Sequence, residues 1–106
     1  MSNFDEREKG FETKFKHDLE TAFKVNARRN KLLGLWAAKQ LGLAGAAAED
    51  YAKTVVMADM EKPGDDDVVQ KVLNDLAAKG VGVTAHRIRA EMDSLLPVAR
   101  KQVTGK

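Results

Sequence analysis

Gly42-Leu43-Ala44-Gly45, Pro63-Gly64 and Gly80 interrupt a chain whose apolar residues otherwise recur three and four positions apart. That alternation of helical period and breaker leaves few folds open. Apolar spacing predicts a first helix reaching about Leu41, its face carried through Leu19, Ala22, Asn26, Leu33 and Trp36. A second amphipathic helix is predicted from Ala46 to about Glu61, with Ala47, Tyr51, Val55 and Ala58 on its apolar side. After Pro63-Gly64, the triplet Asp65-Asp66-Asp67 offers a capping side chain and negative charge for a third helix. Val69, Val72, Leu73, Leu76 and Ala77 form that helix's face, and Gly80 is the expected left-handed residue after it. Thr84 is suited to cap a fourth helix, whose apolar side is Ile88, Met92, Leu95 and Ala99. Pro97 should kink or fray that helix, because it lacks an N–H and its ring crowds the Asp93 carbonyl. No segment reads as a strand, since Val81-Gly82-Val83-Thr84 is too short and glycine-rich. The expected fold class is all-α: an antiparallel four-helix bundle with an N-terminal arm that is mobile or helical.

The arm is unlike the rest. Residues 1–18 hold no Ala, Val, Leu or Ile, yet carry Phe4, Phe11 and Phe15, three of the 4 phenylalanines in the protein. At a helical turn of about 100 degrees per residue these rings fall within about 40 degrees of one another. Nearly everything between them is charged. Such a segment cannot build a core of its own. Its thin aromatic stripe either packs onto the remainder of the chain or serves as a set of anchors for another protein's groove. The expected organisation is an arm at residues 1–18 and a bundle at residues 19–106.

Length and composition set further limits. A chain of 106 residues supports one modest core. Without cysteine there are no disulfides, no thiol catalysis and no cysteine-ligated metals, and the expected setting is the cytosol. No run approaches the roughly 18 apolar residues of a membrane span, so membrane association is expected to be indirect. Net charge is only +2, but residues 19–42 and those from 68 onward are basic while 43–67 are acidic. Alternation of that kind favours complementary packing over a nucleic-acid footprint.

Motifs for chemistry are scarce. His17 and His86 stand in no metal-binding spacing, and the aspartate triplet lacks the alternation, glycine and closing glutamate of a calcium loop. Gly42-x-x-Gly45 is a turn rather than a phosphate loop, having no lysine and no preceding strand. No acid/base dyad or nucleophile arrangement is legible, so no catalytic residue, metal or cofactor is assigned, and a non-enzyme is expected. Asp75 to Arg89 has the look of a helix-turn-helix with Arg87 and Arg89 on its second helix, although its turn is long. Ala27-Arg28-Arg29-Asn30-Lys31, the densest basic run, reads either as a solvated helix face or as a docking patch for an acidic partner. Trp36 is read as core.

Taken together, Phe4-Asp5-x-Arg7-Glu8, Lys14-Phe15-x-His17-Asp18, Phe23, the string from Ala27 through Trp36 to Ala38, Leu41-Gly42 and Gly45 resemble the ζ subunit family of α-proteobacterial F-type ATP synthases. The resemblance extends through Tyr51-Ala52-Lys53, Pro63-Gly64-Asp65 and Asp75-Leu76 to Ile88. It implies an intrinsic inhibitor of the F1-ATPase, attached peripherally to the membrane through the ATP synthase on its cytoplasmic side. The arm would enter a catalytic α/β interface near γ and block rotation in the hydrolytic direction. Phe4, Phe11 and Phe15 would be its apolar anchors, Asp5, Arg7 and Glu8 its charged pairs, and Arg28 and Arg29 would add to the docking surface. The partners would be the F1 α, β and γ subunits, with no nucleic acid, no membrane insertion, and a monomer when free. A free helix of this size is marginal in water, so the arm is expected to order on binding. One departure stands out: Gly10 occupies a position where alanine is common in the family, and glycine costs about 1 kcal/mol of helix stability. The competing function is a non-inhibitory binding module, sensing nucleotide or contacting DNA through the bundle.

Overall fold

The computed structural model describes the backbone of residues 2–61 and 64–105 and the side chains of residues 18–61 and 64–105. Four helices follow one another: α1 Ser2–Gln40, α2 Gly45–Glu61, α3 Asp65–Ala78 and α4 Ala85–Thr104. No strand occurs among the described residues. The chain is an all-α helical bundle, and α1 is continuous across the expected arm boundary at Asp18.

The breakers act where the sequence places them. At the end of α1, Leu43 N–H bonds to Ala38 O at 2.8 Å and Gly42 N–H to Lys39 O at 3.1 Å, with Gly42 at φ 78. Val81 N–H to Leu76 O at 2.9 Å and Gly80 N–H to Ala77 O at 3.0 Å repeat the pattern after α3. Both are Schellman ends, which satisfy orphan carbonyls and need a left-handed residue. Thr84 caps α4 as expected, its hydroxyl accepting from Arg87 N–H at 3.1 Å. Pro97 does not end that helix, which continues to Thr104. Buried Ile88 and Met92 on one side of it and buried Ala99 on the other hold both halves in the bundle, and that burial outweighs the local loss.

The core is built from Leu33 and Ala37 of α1, Val55 of α2, Val68, Val69, Val72 and Leu76 of α3, and Ile88 and Met92 of α4. Trp36 packs against it, half-buried. Helix α1 is the common support: it packs chiefly on α2 and α4 and also meets α3. Gly34 meets Ala52, and farther back along α1 Phe23 shares a cavity with Met60, so α2 runs antiparallel to α1. Among the described residues α2 and α4 make no close backbone approach to one another, so they flank α1 without meeting.

Two expectations need correction. The predicted α1 face ran through Leu19, Ala22 and Asn26, but all three are exposed, and burial starts at Val25 and continues through Arg29, Asn30, Leu33, Ala37 and Ala38. The reason lies in α3, which has 14 residues. Its first residue, Asp65, reaches α1 at the level of Arg29, so ahead of that point α3 no longer covers α1 and only the ends of α2 and α4 lie beside it. The second correction concerns the aspartates. Gly64 is the N-cap of α3, and no side chain caps that helix. Asp65, Asp66 and Asp67 do place negative charge in its first turn, but Asp65 and Asp66 turn to arginines on other helices instead.

Candidate functional site

The basic run on α1 separates into two roles. Arg29 is 7% exposed and Asn30 is fully buried. The Arg29 Nη2 donates to Asp65 Oδ1 at 2.6 Å and to Asn30 Oδ1 at 3.2 Å, and Nε donates to the same amide oxygen at 3.4 Å. This guanidinium therefore ties the start of α3 to α1. The Asn30 Nδ2 finds no hydrogen-bond partner among the described residues, and turning the amide over would aim its N–H groups at a cation. The run is thus not a uniformly solvated face. Arg28 is exposed, and Lys31, half-exposed, reaches Glu49 of α2 at 3.5 Å.

Arg87 and Arg89, the basic pair of the helix-turn-helix pattern, are both exposed, yet each is paired with other groups of this chain. The Arg87 guanidinium lies 5.7 Å from the Trp36 ring centre and 3.4 Å from Glu91 Oε2. Arg89 pairs with Asp66. Neither is free to follow a phosphate backbone without giving up a contact that joins α4 to α1 or α3.

A third polar group links α2 to α3. The Tyr51 hydroxyl donates to Asp75 Oδ2 at 2.8 Å, and Lys71 Nζ reaches the same oxygen at 2.9 Å while standing 5.4 Å from the Tyr51 ring centre. Burial pushes the Tyr51 hydroxyl well above the ordinary phenol range, and the hydrogen bond to Asp75 and its negative charge push it further. His86 is exposed, and no three histidine or carboxylate side chains among the described residues gather in a way that could hold a metal ion.

The surface holds two neighbouring cavities on either side of α2. One, of about 680 Å³, is lined by Lys24, Ala27, Arg28 and Lys31 of α1, Lys53, Val56 and Met57 of α2, and Gln102 and Val103 of α4. The other, of about 640 Å³, includes Phe23, Asn26, Ala27, Arg29, Val56, Met60 and Asp65. Phe23 and Met60 are 72% and 75% exposed, values high for large apolar side chains near a bundle seam. Neither methionine was marked by the sequence reading; Met57 and Met60 fall off the α2 apolar period, and that departure was the available signal.

Of the arm residues expected to bind a partner, Phe4, Asp5, Arg7, Glu8, Phe11 and Phe15 have side chains outside the described residues, as does His17. On α1, Asp18, Leu19, Glu20, Ala22, Phe23 and Lys24 are exposed.

Residues 1–102 match the family described as ATPase inhibitor subunit zeta, a span that takes in the arm, the first three helices and α4 as far as Gln102. The chain belongs to the ATPase inhibitor subunit zeta family. The resemblance carried by the Ala27–Ala38 string is borne out, and with it an inhibitory role toward the ATPase. A protein solved by solution NMR shares the zeta-family chain's fold at a TM-score of 0.69 and 46% identity, covering 78% of this chain and 94% of that one. No curated protein matches. No helix among the described residues is long and apolar enough to cross a membrane.

Proposed function

We propose that this chain inhibits the F1-ATPase by inserting its N-terminal arm, residues 1–18, at a catalytic α/β interface near γ, where it blocks rotation driven by ATP hydrolysis. The bundle, residues 19–106, carries the arm and stays outside the cleft. Phe4, Phe11 and Phe15 are the anchors, and Asp5, Arg7 and Glu8 pair with charges at the cleft mouth. Arg28 faces the partner from the bundle, while Arg29 acts from within by fixing α3. The free protein is a monomer, acts without catalysis or cofactor, and reaches the membrane only through the ATP synthase on its cytoplasmic side.

The observation that carries this reading is the family match, which begins at residue 1 and so includes the aromatic stripe. The continuity of α1 supports it, because one helix of 39 residues couples the arm to the bundle without a joint. So does the exposure of Asp18, Leu19, Glu20, Ala22, Phe23 and Lys24, which leaves much of α1 open to solvent where it departs from the bundle.

The test is ATP hydrolysis by purified α-proteobacterial F1 stripped of its own ζ. It is titrated with the full chain, with a chain lacking residues 1–18, and with a full chain carrying Phe4→Ala, Phe11→Ala and Phe15→Ala. Saturable inhibition by the unaltered chain alone is the expected result. Equal inhibition by the shortened or triply substituted chain would remove the arm from the mechanism.

A further inference from the structure

We infer that the seam between α2 and α4 is a second docking site, seating an acidic amphipathic helix of the ATPase independently of the arm. This rests on the reading that the ATPase is the partner, and it concerns a different surface of the chain.

The seam exists because α2 and α4 both pack on α1 without meeting each other. Its lining is one-sided in charge. Lys24, Arg28 and Lys31 project from α1, Lys53 projects from α2, and no carboxylate lines the cavity. On α1 the three cations stand four and three residues apart, the spacing of one helical face. Lys24, Arg28 and Lys53 make no ion pair with any described residue. Solvated surface charges need no partner, but here they rim an apolar floor of Ala27, Val56, Met57 and Val103. Cationic and apolar side chains therefore line one cavity together, a combination suited to a protein interface rather than to an ordinary charged surface.

The occupant follows from those two properties. The cations select an acidic ligand, and their long aliphatic stems extend the apolar wall while their charges stay at the rim. The floor selects aliphatic side chains, and Met57, 57% exposed, is an adaptable contact for them. Between Lys24 and Lys31 the floor runs about two helical turns, at about 1.5 Å per residue. A helix with apolar anchors at i, i+3 and i+7 and carboxylates flanking them spans that distance and adds one more neighbour to α1. The arm would then supply inhibition, and the seam a steered, salt-sensitive attachment.

The experiment measures the dissociation constant of the full chain on F1 at low and moderate salt. Three full-chain variants join it: Lys24→Glu with Lys53→Glu, Met57→Ser, and a control, Lys39→Glu with Lys79→Glu, that makes the same charge change away from the seam. All of the substituted lysines are exposed, and thermal melts check that each variant folds. The expected result is about tenfold weaker binding and a shallower salt dependence for Lys24→Glu with Lys53→Glu, and at least a threefold loss for Met57→Ser. The control should stay within about twofold of the unaltered chain. Equal losses in both double variants, or no loss at the seam, would overturn the inference while leaving inhibition by the arm intact. A salt-sensitive dimer of the free chain that Lys24→Glu with Lys53→Glu abolishes would overturn it in favour of a second copy. An unaltered chain that does not bind F1 at all would overturn both this inference and the proposed function.

Discussion

Gly34 faces Ala52 where α1 crosses α2, so closely that a β-carbon on Gly34 would stand 2.6 Å from the Ala52 Cα and 3.0 Å from its β-carbon. The nearest obstacle is backbone, which cannot rotate away. Glycine is a poor helix former, and an exposed Gly→Ala change in a helix interior gains about 1 kcal/mol. Here the crossing reverses the sign: Gly34→Ala should destabilise the bundle by about 1–3 kcal/mol as the helices are forced apart. Urea denaturation followed by far-ultraviolet circular dichroism reads this, and a stabilised variant would show that α1 and α2 can separate at low cost.

The Arg29 and Asp65 pair should respond differently to loss of its two members. Removing Asp65 leaves a buried guanidinium, 9% exposed at its side chain, with no anion; removing Arg29 leaves a carboxylate that is 56% exposed and readily hydrated. Asp65→Ala is therefore expected to cost about 1–3 kcal/mol. Arg29→Met keeps much of the packed stem, and its cost comes instead from the buried Asn30 Oδ1, which loses its donor. A double-mutant cycle should give a coupling above about 0.5 kcal/mol; additive losses would mean that the pair does not join α3 to α1.

Stability at high pH should carry the signature of Tyr51. Its folded-state pKa is raised, by burial first and then by Asp75, whereas in the unfolded chain it lies near the ordinary value of about 10. Below pH 10 both states hold the proton and the contribution is fully present. Above that the unfolded state releases it first, so stability falls as pH rises. The urea midpoint should drop more steeply between about pH 10 and 11 in the unaltered chain than in Tyr51→Phe. Identical slopes would remove Tyr51 from the pH dependence.

Pro97→Ala should stabilise the protein by about 1–3 kcal/mol. Pro97 is exposed inside a helix that continues to Thr104, so the change restores an N–H and removes the ring from the Asp93 carbonyl. A rise in melting temperature is the expected reading, and a fall would mean that the ring itself contributes packing.

Gly10→Ala should strengthen inhibition if helix formation in the arm limits its binding, by up to about fivefold for a gain of about 1 kcal/mol. A titration of F1 hydrolysis decides the matter: unchanged potency would separate helix formation from inhibition.

Helix number, order and ends were legible because they depend on local chemistry. Gly42 and Gly80 act through their own backbone freedom, and Thr84 through a hydroxyl three residues from its donor. The α4 face of Ile88, Met92, Leu95 and Ala99 was legible too, since a single period covers the whole helix. The covered length of α1 was not, because it depends on how far α2, α3 and α4 each reach along it. Arg29 and Asn30 were hidden for a related reason. Nothing near them in sequence announces burial, and the group that accommodates Arg29, Asp65, lies 36 residues away. The aspartate triplet looked like a cap because capping is the local option; its long-range arginines were not visible. The seam is further still from the sequence, for it requires knowing that α2 and α4 flank α1 and leave a gap.

The unbroken course of α1 has a kinetic and energetic consequence for the arm. An isolated helix must first close one turn against a penalty of about 4 kcal/mol, the free-energy equivalent of a nucleation constant near 10⁻³. Val25 to Ala38 are already wound and packed, so they act as a standing nucleus onto which earlier residues add one hydrogen bond at a time. Winding of the arm is then a matter of propagation alone, directed from the bundle toward Ser2. A breaker placed between Asp18 and Val25 would sever the arm from its template while leaving every aromatic anchor in place.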